Sequence, residues 1–277
     1  MPVLEISDTD LLACAEAAAR DAGQYALRNA HRRTETVAVK AHDVKLKLDI
    51  ECQARIEGVI RGAFPAHTTL GEEDDHAPAD TAPADAGRFC PQSMGRYLWI
   101  IDPIDGTVNF SHGMRQWCVS VAVLRDDRVL AGCVYAPALD ACYTATHTSP
   151  ALRNGEAIRV SDTPRLAEAI VRTGIDRNED FGVPPFTCMN AIALRARRIR
   201  VMGSAALDLC AVAAGEAEGY FENSIFVWDV AAAGLVVRAA GGQAGLFGRR
   251  SGHGILYMGT NGLVADELDR LLRAVLA

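Results

Sequence analysis

The apolar run Trp99-Ile100-Ile101 ends in Asp102-Pro103-Ile104-Asp105-Gly106-Thr107. This reads as a strand that delivers two carboxylates and then breaks at Gly106, so negative charge is held at a strand end. Pro103 fixes its own φ and removes a donor, which turns the Ile104 carbonyl between the carboxylates as a further oxygen. Carboxylates plus a carbonyl are the donor set of a hard cation such as Mg²⁺. Taken alone, the motif fits a tight turn with two solvated aspartates equally well, because Asp-Gly is common in turns.

Four further carboxylates stand at element boundaries. Glu72 and Glu73 follow Thr68-Thr69-Leu70-Gly71, and Asp229 follows Trp228 and precedes Val230-Ala231-Ala232-Ala233-Gly234. Asp49 closes an alternation in which Val44, Leu46 and Leu48 are apolar while Lys45 and Lys47 are charged. That alternation predicts a strand up to Asp49, with a helix carrying Ile50, Ile56, Val59 and Ile60 beyond it. Each acid has a plain structural alternative: a solvated loop for Glu72 to Asp75, and a helix cap for Asp229.

Together the acids resemble those of the inositol monophosphatase family of magnesium-dependent, lithium-sensitive phosphatases. The family's Gly-Glu-Glu stands here as Gly71-Glu72-Glu73. Its Trp-x-x-Asp-Pro-Ile-Asp-Gly-Thr-x-Asn-Phe block runs from Trp99 to Phe110, and Trp-Asp-x-Ala-Ala-Gly appears from Trp228 with Gly234 one place late. Order, spacing and total length fit across essentially the whole chain.

The resemblance implies a mixed α/β fold, a five-layer αβαβα sandwich. It implies metal ligation by Glu72, Asp102, the Ile104 carbonyl, Asp105 and Asp229, with Asp102 bridging two Mg²⁺ ions and room for a third. Mn²⁺ would substitute, and Ca²⁺ and Li⁺ would inhibit. Thr107 with Asp49 would orient the attacking water, with Glu72 also counted among the catalytic residues. Gly106 and Thr107 backbone N–H groups would hold phosphate, and Gly203, Ser204, Ala205, Glu222 and Asp229 would contact the substrate. Cations are physically required, because a phosphate monoester cannot approach several carboxylates in an acidic protein unless positive charge lies between them.

Some positions depart from the family pattern. Leu46 occupies a usual Thr, and Lys45 and Lys47 are placed on the Asp49 side of the strand, where either could reach a carboxylate or phosphate and oppose a third metal. The alternative is two solvated lysines. Val108 follows Thr107 where many relatives have a second Thr. Asp208 reads as a substrate contact or a buried structural acid, and Ser204 as a substrate contact or a helix cap. His112 reads as a surface residue.

Inositol monophosphate or a similar small sugar or polyol phosphate is the expected substrate, supported by Asn109-Phe110. Histidinol phosphate, fructose 1,6-bisphosphate, 3′-phosphoadenosine nucleotides, or a silent regulatory role are the alternatives. Haloacid-dehalogenase phosphatases carry Asp-x-Asp-Gly-Thr near the chain start, and the extra residue between Asp102 and Asp105 opposes that class.

The elements around these residues read as one domain over 1–277, with two lobes at 1–145 and 146–277. Ser7 and Asp10 open a helix that continues through Leu11, Leu12, Ala15, Ala18, Ala19 and Ala22. Asp74 to about Ser93 reads as a Pro, Ala and Asp-rich loop. Val119–Leu124 and Val129–Tyr135 flank Asp126-Asp127 as a hairpin, and Leu207–Ala217 and Val230–Ala240 read as helices. The 277 residues, 49% hydrophobic and 23% charged, are those of a globular protein. A net charge of −7, with no basic run read as an exception, argues against nucleic-acid binding. No apolar stretch suits a membrane span or signal peptide, so a cytoplasmic protein is expected, as a homodimer by the resemblance. The eight cysteines are spread singly and read mostly as small buried residues.

Overall fold

The computed structural model describes residues 6–39, 44–74, 89–175, 186–249 and 254–276. Helix α1 (Asp8–Arg28) starts as its sequence predicts, with the Ser7 hydroxyl accepting from Asp10 N at 3.1 Å. Strands β1 (Thr36–Val39) and β2 (Val44–Leu46) form a small antiparallel pair. Helix α2 (Lys47–Ala63) follows directly, so the strand expected to reach Asp49 stops at Leu46. The reason is local: Asp49 Oδ2 accepts the Leu46 N–H at 2.7 Å and caps a helix already begun.

Strand β3 (Thr68–Gly71) lies parallel to β4 (Leu98–Asp105), which leads through Gly106 into the short helix α3 (Thr107–Ser111). Of the expected loop between β3 and β4, residues 75–88 lie outside the described residues. Strands β5 (Cys118–Arg125) and β6 (Arg128–Ala136) make the expected hairpin, with Asp126 and Asp127 at φ 51° and 64°, the left-handed pair a tight two-residue turn requires. Strands β7 (Ala141–Thr146), β8 (Leu152–Arg153) and β9 (Glu156–Ala157) extend a seven-stranded sheet ordered β3-β4-β5-β6-β7-β8-β9.

The second half supplies β10 (Ile170–Thr173), α4 (Thr187–Ala193), β11 (Arg198–Arg200), α5 (Ala205–Ala213), β12 (Gly219–Phe226), α6 (Val227–Ala239), β13 (Gln243–Arg249), β14 (Gly254–Thr260) and α7 (Ala265–Leu276). Its five strands pair in the order β11-β10-β12-β14-β13. The edge strand β11 carries Arg198 and Arg200, with Arg195 and Arg197 just before it, so basic charge is locally concentrated where the sequence reading saw no such run.

Five layers result. Helices α1 and α2 cover one face of the seven-stranded sheet, α5 and α6 lie between the two sheets, and α4 and α7 cover the outer face of the five-stranded sheet. The layering explains β4. Trp99 and Ile101 enter the core under α1 and α2, while Leu98 and Ile100 enter the core against α6, so both faces of the strand are apolar and all eight residues are buried. All eight cysteines are free and buried. Among the described residues no helix is long and apolar enough to cross a membrane.

Candidate active site

Residues three apart on a regular strand point to opposite faces. Asp102 and Asp105 escape this because the β4–β5 register shifts between them: Asp102 faces Ser120 while Asp105 faces Cys118, so β4 holds one extra residue. Carboxylate oxygens of Asp102, Asp105 and Asp229 all lie within 4.8 Å of one another. They wall a cavity of about 300 Å³ together with Glu72, Ile104, Gly106, Thr107, Val108, Asn109 and Gly203.

Each acid is held by its own element. Asp105 Oδ2 accepts from the Ser204 hydroxyl at 2.6 Å and Ala206 N at 2.8 Å, and its Oδ1 accepts from Ala205 N at 3.2 Å, so the first turn of α5 grips this carboxylate. Asp229 is the third residue of α6, and its Oδ2 accepts from Phe226 N at 2.7 Å. Asp102 Oδ1 accepts from Ile104 N at 3.1 Å. Glu72 follows β3, where its N–H donates to Ile101 O at 3.1 Å. Gly71 leaves room for Gln53, since an added Cβ would stand 2.1 Å from Gln53 Oε1, which accepts the Glu73 N–H at 2.9 Å.

Gly106 has φ 92°, and a Cβ on it would meet Gln116 O at 2.9 Å and Gly203 O at 3.0 Å. Thr107 Oγ1 donates to Ile104 O at 2.9 Å, leaving that carbonyl a second lone pair. Asn109 Nδ2 donates to Gln116 O and Met202 O, both at 2.8 Å, and so ties α3 to the loop before α5.

The acids repel. Burial, then the charges of Glu72, Asp105 and Asp229, push the Asp102 carboxyl well above its ordinary range. Burial, then Asp105, pushes Asp229 up to about 8. Asp105 is also raised by burial, with the Ser204 hydroxyl the strongest influence holding it down. Glu72 is raised by desolvation and then by Asp229, Asp49 and Glu73, a shift that water softens because the residue opens at the cavity mouth. The second oxygen of Asp102 is buried with no hydrogen-bond partner, a cost that a bound cation removes. An all-oxygen donor set with an orphaned carboxylate oxygen fits a divalent hard ion.

The other expected residues take varied positions around these acids. Asp49 is buried in the first turn of α2, with one oxygen given to the Leu46 N–H, instead of standing at a strand end. Lys45 pairs with Glu73 at 2.6 Å, whereas Lys47 lies in α2, more than half exposed and 3.9 Å from Glu35. The expectation that Lys47 shares the Asp49 side of a strand therefore fails with the strand itself. Ser204 and the N–H of Ala205, expected at the substrate, donate to Asp105. Asp208 is buried against Arg172 at 3.0 Å. His112 is exposed, with Nδ1 against Val108 O and the Ser111 hydroxyl. Glu222 is on β12, pushed up to about 8 by burial with the Tyr220 hydroxyl the first influence opposing it.

Gln53 was missed, and Tyr220 and the donors on α5, expected only as parts of substrate-contacting segments, were not read as partners of Glu222 and Asp105. Their partners are 20 or more positions away, apart from Tyr220, whose spacing of two from Glu222 on a strand was the available signal.

The inositol monophosphatase family model matches residues 7–277. Inositol monophosphatase 2 of Solanum lycopersicum is 34% identical over 229 residues, covering 81% of this chain and 83% of that protein. Nus factor SuhB of Pasteurella multocida is 33% identical over 262 residues, covering 94% and 91%. The solved structure of an IMPase from Thermotoga maritima superposes with a TM-score of 0.77 at 31% identity, covering 96% of this chain and 98% of that one.

Proposed function

The chain belongs to the inositol monophosphatase family, and from that premise we propose that this metal-dependent phosphatase hydrolyses inositol monophosphate or a similar small sugar or polyol phosphate by direct attack of water. The observation that carries the reading is the convergence of Asp102, Asp105 and Asp229 on one cavity, with an Asp102 oxygen buried and unpartnered. Glu72, Asp102, the Ile104 carbonyl, Asp105 and Asp229 are assigned as the ligands of Mg²⁺, with Mn²⁺ as a substitute and Ca²⁺ and Li⁺ as inhibitors. Such an ion supplies the positive charge that admits a phosphate dianion and makes water a better nucleophile.

The chain's own groups do the rest. Ser204 and the first turn of α5 favour the ionised form of Asp105 against its burial and aim it. Thr107 and Asp49 orient the water, and the Gly106–Thr107 backbone receives the phosphate oxygens. Glu222 accepts a hydroxyl of the leaving alcohol. Thr107 has no His or Lys beside it in the motif to activate it as a nucleophile, which favours water over a covalent intermediate. The reading also carries a homodimer in the cytoplasm.

The test is phosphate release from inositol phosphates, histidinol phosphate, fructose 1,6-bisphosphate and a 3′-phosphoadenosine nucleotide, with Mg²⁺ and with EDTA. The highest kcat/KM is expected on inositol monophosphate, with turnover lost in EDTA and millimolar Li⁺ inhibition. Full turnover in EDTA refutes the metal assignment, a different preferred substrate refutes the polyol assignment, and silence on all four favours a regulatory role.

A further inference from the structure

Glu222 is enclosed in a way that phosphate chemistry alone does not require. Tyr220 and Glu222 are two apart on β12 and share one face of the sheet. The fully buried Tyr220 donates its hydroxyl to Glu222 Oε2 at 2.8 Å. The whole carboxyl end packs into a notch at Gly174, just after β10, where an added Cβ would lie 2.0 Å from Oε1 and 2.3 Å from Oε2. Gly174 does not have a left-handed φ, so what the position requires is the missing side chain.

The surroundings make this seat rigid. Strand β10 pairs in parallel with β12, and the Thr173 hydroxyl donates to Phe221 O at 2.6 Å beside the notch. On the same face, Arg172 stands opposite Tyr220 in register and pairs with Asp208 at 3.0 Å. Asp208 lies on α5, whose first turn grips Asp105. A glutamate bonded at one oxygen and packed against Gly174 gives up part of its rotamer freedom before substrate arrives. The donated Tyr220 hydroxyl also favours the ionised acceptor form of Glu222 against burial.

We propose that Tyr220, with the Gly174 notch, is a positioning residue that fixes Glu222 to accept a leaving-group hydroxyl, and so makes the enzyme select polyol phosphates over esters whose leaving alcohol has no further hydroxyl. The proposal rests on the reading of Glu222 as the hydroxyl acceptor. Its test compares kcat and KM of the Mg²⁺-loaded wild type, Tyr220→Phe, Gly174→Ala and Glu222→Gln on inositol 1-phosphate and on p-nitrophenyl phosphate.

Tyr220→Phe and Gly174→Ala should each raise KM for inositol 1-phosphate about tenfold, the effect of losing roughly one hydrogen bond's worth of orientation, while leaving p-nitrophenyl phosphate hydrolysis within twofold. Equal losses on both substrates in folded variants, or no loss on either, overturn the positioning role. Should Tyr220→Phe not fold, Gly174→Ala decides by the same criterion. If Glu222→Gln keeps the wild-type preference, or the wild type has none, the acceptor reading of Glu222 fails. If Glu222→Gln loses the preference while Tyr220→Phe and Gly174→Ala retain it, only the positioning role fails.

Discussion

Replacing Asp229 by Asn should make the metal-free protein more stable and less active at once. The exchange keeps an oxygen for the Phe226 N–H, bound at 2.7 Å, and removes a negative charge from within 4.8 Å of two others. Burial and then Asp105 raise Asp229 from the ordinary 3.8 to about 8. The folded state therefore binds this proton more tightly than the unfolded state, and stability falls as pH rises between those values. From 3.8 to pH 7 each pH unit withholds about 1.4 kcal/mol, a ceiling of about 4 kcal/mol. Asp229 shares its repulsion with Asp105 and is partly open to water, so about half, ~2 kcal/mol, is the expected gain of the variant in EDTA at pH 7, or a Tm rise of about 4 °C. At pH 5 the ceiling itself drops below about 2 kcal/mol, so the advantage should shrink. Differential scanning calorimetry of both proteins in EDTA at pH 5 and 7, and then with Mg²⁺, is the assay. A variant less stable than wild type in EDTA at pH 7, or a wild type whose metal-free stability climbs from pH 5 to 8, would show that the acid cluster is not under the strain described.

Ser204→Ala removes a 2.6 Å donor from the buried Asp105 carboxylate. It should cost about 1 to 3 kcal/mol by urea unfolding and shift the Mg²⁺ activation curve roughly tenfold or more to higher concentration; an unshifted curve would mean that the α5 donors do not tune this acid. Gly71→Ala drives a methyl group into Gln53 Oε1 and frees the Glu73 N–H. A loss of about 1 to 3 kcal/mol is expected, with much of it recovered in Gly71→Ala/Gln53→Ala, and a double variant no better than the single would place the strain elsewhere.

The acids could be found in the sequence because Gly71-Glu72-Glu73, the Trp99 to Phe110 block and Trp228-Asp229 together match a family's order and spacing, whereas Asp102 and Asp105 alone fit a solvated turn equally well. The strand ending at Ile101 was legible as a buried apolar run, whereas the layers around it followed only from the family resemblance, because periodicity alone does not order strands. What could not be read was direction. Nothing in Asp102-Pro103-Ile104-Asp105 announces that a bulge turns both carboxylates to one side, because the bulge is defined against β5. Lys47 was placed on the wrong element because Val44 to Asp49 alternates like a strand, and the alternation carries no record of the N–H that Asp49 captures from Leu46. The Gly174 notch and the Ser204 grip on Asp105 span 48 and 99 positions respectively, beyond any local periodicity.

The same construction recurs in two helices. In α2 and α6 the residue before the first turn is apolar, Leu46 and Phe226, with no side-chain oxygen to cap the helix. The third residue, Asp49 or Asp229, reaches back to that residue's N–H at 2.7 Å in both helices. One oxygen is thereby fixed by the helix itself, and the carboxylate is oriented before any ion or substrate arrives. Helix α5 acts from the opposite direction, its N-terminal N–H groups donating to a carboxylate carried by a strand. Three positive helix ends thus face carboxylates, which lowers the cost of holding each of them ionised there. Because Asp229 is both cap and cavity acid, and Asp49 is both cap and the proposed orienter of water, an alanine at either position would conflate unfolding with lost chemistry. Asn keeps the capping oxygen and removes only the charge, so comparing Asp→Asn with Asp→Ala at both positions separates the two roles: equal stability in the pair would show that the cap contributes nothing.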